Sequence, residues 1–151
     1  MRNLTGKRVA ILATDGYEQS ELELPLARLK EAGAQVDVVS LKPGVIKGWH
    51  HHDWGRPTDV DKVLSDVSPN DYDGLVLPGG QMNPDTLRLE TDVIGFIHAF
   101  WQQGKVVAAI CHAPWLLVEA GLVKGRNVTS WPSLRTDVVN AGGIWQDVDV
   151  V

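Results

Sequence analysis

The chain has 151 residues, 44% of them hydrophobic and 22% charged, with a formal net charge of −5. That suffices for one globular domain with a sizeable core, and an acidic balance without a basic run argues against nucleic acid as a primary partner. No apolar stretch approaches the ~20 residues that cross a bilayer, and residues 1–7 lack the apolar core of a signal peptide, so the expectation is a cytoplasmic protein with no membrane partner.

Residues 8–13 (Arg-Val-Ala-Ile-Leu-Ala) are a short strand pattern followed by a turn at 14–17. Leu22, Leu24, Leu26, Leu29 and Ala32 mark a helix closed by Gly33, and residues 36–41 read as the next strand. This strand–helix–strand order predicts a parallel sheet with helices on its faces. Residues 42–61, rich in Gly, Pro, His and Trp, suit a hairpin outside the main core. Residues 74–80 form a buried strand ending in a turn, and 92–103 carry a helical pattern. The apolar run 106–110 is another buried strand, followed by a helix with Pro114 in its first turn and Gly121 at its end. A short strand at 127–130, a helix at 133–141 and weak alternation over 144–151 complete the reading. The chain stops in what reads as mid-strand, which fits truncation or an end covered by an assembly.

The one cysteine, Cys111, falls on the strand-to-helix turn after residue 110. A sharp turn there presents a nucleophile at the carboxyl end of the sheet, and a helix N-terminus lowers a thiol pKa. The plainer alternative is a small buried hydrophobe. A single cysteine forms neither an internal disulfide nor a multi-cysteine zinc site.

In an open parallel sheet the site forms where loops leave the carboxyl ends of the strands. Three loops qualify: residues 15–18, 78–81 and 111–112. Glu18 is the expected carboxylic acid for the sulfur, donating a hydrogen bond to a thiolate and moving its proton; otherwise it is a first-turn acid placed by the helix dipole. Gly79 and Gly80, with the His112 amide, are the candidate oxyanion donors, and a turn needing positive φ is the compatible alternative. His112 is the neighbouring base, though direct contact with Cys111 needs unusual backbone geometry. No histidine follows it, which excludes a downstream-histidine triad. His98 reads as a packing or surface residue. His50, His51, His52 and Asp53 contain good zinc ligands, but consecutive residues rarely aim at one ion, so no metal site is expected and these residues suit a polar rim or subunit contact. Of the six tryptophans, Trp49, Trp54 and Trp131 lie in polar contexts typical of interfaces, and the 49–54 excursion is the first candidate for a homodimer contact.

With Tyr17-Glu18-Gln19-Ser20-Glu21, Leu77-Pro78-Gly79-Gly80, Ala109-Ile110-Cys111-His112-Ala113-Pro114 and Thr129-Ser130-Trp131-Pro132-Ser133 in this order, the chain resembles the PfpI family of the ThiJ/PfpI superfamily. The resemblance runs from about residue 7 to 151. It implies a single α/β domain over 1–151: a flavodoxin-like three-layer sandwich with a mostly parallel sheet and a nucleophile elbow. It implies Cys111 as nucleophile with Glu18 on its sulfur and His112 completing the site, in some relatives with a carboxylate from a neighbouring subunit. Gly79, Gly80 and Trp131 are the expected oxyanion and substrate-binding residues, with no cofactor. Family activities include deglycases, glyoxalases converting methylglyoxal to lactate, intracellular cysteine peptidases and general stress proteins, usually as dimers or hexamers. Ala113 stands where many relatives have glycine, and a C-terminal strand and helix of the relatives have no counterpart, which would expose a sheet edge. The favoured expectation is a cysteine-dependent enzyme for small reactive carbonyls or glycated protein. The alternatives are a peptidase and a non-enzymatic redox sensor or holdase.

Overall fold

A computed structural model describes residues 3–151; Met1 and Arg2, where the expected domain opens, lie outside the described residues. β1 (Arg8–Leu12) leads into α1 (Gln19–Glu31), and β2 (Gln35–Ser40) returns parallel to β1, with Arg8 opposite Gln35 and Leu12 opposite Val39. β3 (Val45–His50) and β4 (Asp53–Asp59) form an antiparallel hairpin. After the short β5 (Lys62–Val63) come β6 (Gly74–Leu77), α2 (Met82–Leu87), α3 (Thr91–Gln102), β7 (Val106–Ala109) and α4 (Pro114–Glu119). β8 (Asn127–Val128) pairs with β9 (Ile144–Trp145), and α5 (Arg135–Asn140) lies between them in sequence.

The central sheet has the order β5-β2-β1-β6-β7, and every pairing in it is parallel. Because side chains alternate along a strand, β1 feeds both faces. Ala10 and Leu12 pack with Leu75, Leu77, Phe96, Ile97, Phe100 and Leu116, under α3 and α4. Val9, Ile11 and Ala13 pack with Leu22, Val36 and Val38, under α1. The result is the parallel sheet flanked by helices that the strand and helix order predicts, and the flavodoxin-like α/β sandwich that the resemblance implies.

The hairpin departs from expectation, since it is joined to the core. Ile46 is buried with Tyr17 in the α1-side cluster, and Trp49 N–H donates to the Tyr17 carbonyl at 2.7 Å. Buried Gln19 accepts from the Arg56 amide at 2.7 Å, and the Tyr17 hydroxyl donates to Thr58 Oγ1 at 2.7 Å. α2 has no counterpart in the sequence reading, because its six residues with Pro84 show no helical period. The helix expected over 133–141 opens as a 3-10 turn at Pro132–Leu134, and of the alternating stretch 144–151 only Ile144–Trp145 finds a strand partner. β7 corrects the buried strand expected over 106–110, because it is one edge of the sheet and has no strand beyond it among the described residues: Val106 is 71% and Ile110 48% exposed. Among the described residues, no helix is long and apolar enough to cross a membrane.

Candidate active site

Cys111 follows β7 by two residues and has φ +61°, a left-handed conformation that costs a non-glycine residue energy. That twist places two neighbours around one sulfur. His112 Nδ1 lies 3.2 Å from Cys111 Sγ, so the adjacent imidazole does reach the thiol. The backbone amides of Gly80 and His112 face the sulfur and favour its charged form.

The carboxyl group at the sulfur belongs to Glu21, which replaces the expected Glu18. Glu18 has extended backbone (φ −67°, ψ 122°) just before α1 and bridges to Trp49 of the hairpin, so it sits outside the helical turn that faces Cys111. One turn on, Glu21 Oε2 accepts the Gly79 amide at 2.7 Å, and its side chain hydrogen-bonds Cys111. The same bond corrects the role expected of Gly79. Its N–H is held by Glu21, which leaves the Gly80 and His112 amides, both directed at the sulfur, as the remaining backbone donors of the pair of loops. Gly79 and Gly80 are still required as glycines. A Cβ on Gly79 would sit 2.7 Å from Cys111 Cβ, and one on Gly80, at φ +73°, would run into the Gly16 carbonyl. Fully buried Asn83 ties these loops together: Oδ1 accepts from Thr14 N–H at 2.8 Å, and Nδ2 donates to the Pro78 and Gly79 carbonyls at 2.9 and 3.1 Å.

Burial pushes the Glu21 carboxyl above its usual range. Burial, and then the charge of an ionised Glu21, push Cys111 up to about 12, against the lowered thiol expected from the helix N-terminus. Carboxyl and thiol are therefore coupled, since the charge of one disfavours ionisation of the other. With the proton on Glu21, the repelling charge is gone and the O–H points a donor at sulfur. Burial lowers His112, which keeps its imidazole neutral near pH 7.

The other wall comes from residues 129–133. Trp131 N–H donates to the Cys111 carbonyl at 2.8 Å, and the Trp131 ring, half exposed, stacks on His112 with centroids 6.0 Å apart. Trp115 meets the same imidazole edge-on at 5.3 Å. Glu21, Cys111, Thr129, Trp131 and Pro132 line a cleft of about 310 Å³. Trp49 and Trp54 pack edge to face across the hairpin, and the His50 and His51 rings lie 4.2 Å apart there. Among the described residues no three His, Cys, Asp or Glu side chains are grouped to hold a metal ion.

Residues 7–151 match the DJ-1/PfpI family. The chain belongs to the DJ-1/PfpI family. A protein named a deglycase from Pyrococcus abyssi is 43% identical over 144 residues, 95% of this chain and 84% of that protein. General stress protein 18 of Bacillus subtilis is 37% identical over 147 residues, 97% of this chain and 83% of that one. Among solved structures, a two-domain Anabaena variabilis protein with DJ-1/ThiJ/PfpI-like and ferritin-like domains superposes with a TM-score of 0.89 at 32% identity, covering 96% of this chain and 41% of that one. Glu21 was missed by sequence reasoning although it stands in the quoted Tyr17–Glu21 motif; its signal was a second acid one helical turn from Glu18, beside Leu22 on the buried face of α1.

Proposed function

We propose that this member of the DJ-1/PfpI family is a cysteine-dependent enzyme acting on small reactive carbonyls or their glycation adducts, with Cys111 as nucleophile. The observation that carries the reading is the single sulfur held between a protonatable carboxyl, Glu21, and a neutral imidazole, His112. The deglycase name of the Pyrococcus abyssi relative supports the same class. A cleft of about 310 Å³ suits a small dicarbonyl better than a polypeptide, which weighs against the peptidase reading.

With methylglyoxal, the Cys111 thiolate adds to the aldehyde carbon. The carbon–sulfur bond forms as the carbonyl electrons move onto oxygen, where the Gly80 and His112 amides receive the charge. A proton then leaves the former aldehyde carbon and returns to the neighbouring one through Glu21 or His112, turning the hemithioacetal into a thioester of lactate. Water cleaves that thioester and regenerates the thiol, so the net change is addition of one water with no external oxidant. Trp131 forms the wall against which the substrate rests. The exposed ring of Trp54 is the corresponding proposal for an anchor between subunits.

The test is loss of methylglyoxal and appearance of lactate with the protein and with Cys111→Ser. Turnover that vanishes in the variant is expected. A folded protein with no turnover, or a variant as active as the parent, overturns the reading.

A further inference from the structure

A neutral imidazole can take a proton from Cys111 only if the nitrogen facing sulfur is bare. That nitrogen is Nδ1, at 3.2 Å, so the ring's one proton belongs on Nε2 and needs an acceptor there. Ser133 Oγ lies 3.5 Å from Nε2.

The ring is fixed in its plane by its neighbours. Trp131 stacks on one face and Trp115 meets it edge-on, so turning the imidazole about its bond to exchange its edges would drive it into an aromatic wall. Trp115 is itself held, since its Nε1–H donates to Asp137 at 2.8 Å and the Arg88 guanidinium lies 5.4 Å over its ring, tied to Glu119. Ser133 is held from the opposite side. It sits in the Pro132–Leu134 turn, anchored by fully buried Leu134 and by the bond from Trp131 N–H to the Cys111 carbonyl. The loop that carries the hydroxyl is thus pinned to the residue that carries the sulfur. The titratable and charged groups around His112 are Cys111 with Glu21 behind it, and Asp137, Arg88 and Glu119 on the far side of Trp115. Burial alone lowers His112.

We propose that Ser133 is the positioning residue of this site, its hydroxyl accepting the Nε2 proton of His112 so that Nδ1 stays bare toward Cys111. A hydroxyl suits the task because it also accepts from the imidazolium once Nδ1 has taken the thiol proton, without adding a charge that would hold His112 protonated. The inference rests on Cys111 and His112 being the reacting pair.

The experiment follows ring-nitrogen NMR of 15N-histidine-labelled protein together with the pH profile of Cys111 alkylation by iodoacetamide, in the parent, Ser133→Ala and Ser133→Thr. The parent is expected to show one His112 tautomer with Nδ1 unprotonated. Ser133→Ala should give a mixture and alkylate about tenfold more slowly near pH 7, short of the ~10⁴ that a wrong tautomer costs a serine protease. Ser133→Thr, which keeps the hydroxyl, should restore both readouts. An unchanged tautomer and an unchanged profile in Ser133→Ala overturn the proposal. A tautomer that responds to Ser133→Ala in a protein that turns over no methylglyoxal upholds it and overturns the carbonyl reading instead.

Discussion

The two sides of the Cys111 sulfur are built differently. Toward α1, the polar groups are sunk into the domain: Glu21 holds the Gly79 amide, and buried Asn83 bonds three backbone groups of two strand-end loops. Toward residues 129–137, His112 is held by half-exposed Trp131, by Trp115 and by exposed Ser133. Glu21, the proposed proton carrier, is therefore fixed by the core. His112, the proposed acceptor of the thiol proton, is held by a surface loop and by aromatic contacts worth only about 0.5–1.5 kcal/mol each.

The sharpest way to break this contrast is Asn83→Ala. It strips partners from one amide and two carbonyls in the interior, and unsatisfied buried groups cost roughly 1–3 kcal/mol each. A loss of about 3–4 kcal/mol is expected, seen as a fall in Tm of about 6–12 °C. A shift under about 2 °C would mean that the α1 side is not the rigid one.

Next in size is the exchange of carboxyl groups. Glu21→Gln keeps an acceptor for the Gly79 amide but carries no transferable proton, so methylglyoxal turnover should fall about 100-fold with little change in Tm. Glu18→Gln should change turnover by less than about threefold. The reverse ranking would restore Glu18 as the acid.

Stability should carry the same signature. Folded Glu21 holds its proton to a higher pH than it does in the unfolded chain, so its contribution is full below the usual glutamate range and is lost as pH rises through the folded value. Glu21→Gln lacks that loss. Thermal melts from about pH 4 to about pH 8 should therefore show the variant gaining on the parent as pH rises. Parallel curves would place an ionised Glu21 in the folded protein.

The contrast also decides what was legible in the sequence. β1 and β6 are runs of apolar residues beside glycine-containing turns, and burial on both faces of a parallel sheet produces that pattern, whereas the equally apolar β7 lies at an edge and is partly exposed, a difference that composition does not encode. Cys111 and His112 could be placed because the elbow is a local feature of one strand end. Glu18 and Glu21 could not be ranked, because the difference is a backbone angle: ψ 122° at Glu18 leaves it outside the helix, whereas Glu21 lies within the first turn. The assignment of Gly79 failed for a related reason, since a glycine pair shows that two amides are accessible but not that one is already bonded to a side chain 58 residues away. Asn83 was invisible because α2 has no period to announce it. The hairpin was misjudged because its tie to the core runs through buried Gln19 and the Tyr17 hydroxyl, polar contacts that no hydrophobic pattern encodes.

The smallest expected effect lies on the adjustable side. Trp115→Phe keeps an aromatic edge against His112 but removes the N–H that bonds Asp137, on α5. A hydrogen bond to a carboxylate in an exposed setting is worth little, so the fold should hold, while the His112 ring gains freedom and Cys111 alkylation slows by about two- to threefold. Asp137→Asn, which retains an acceptor, should change the rate still less. If Trp115→Phe instead slows alkylation as much as Ser133→Ala does, the clamp and the hydroxyl are one rigid unit, and the His112 side is as firmly built as the Glu21 side.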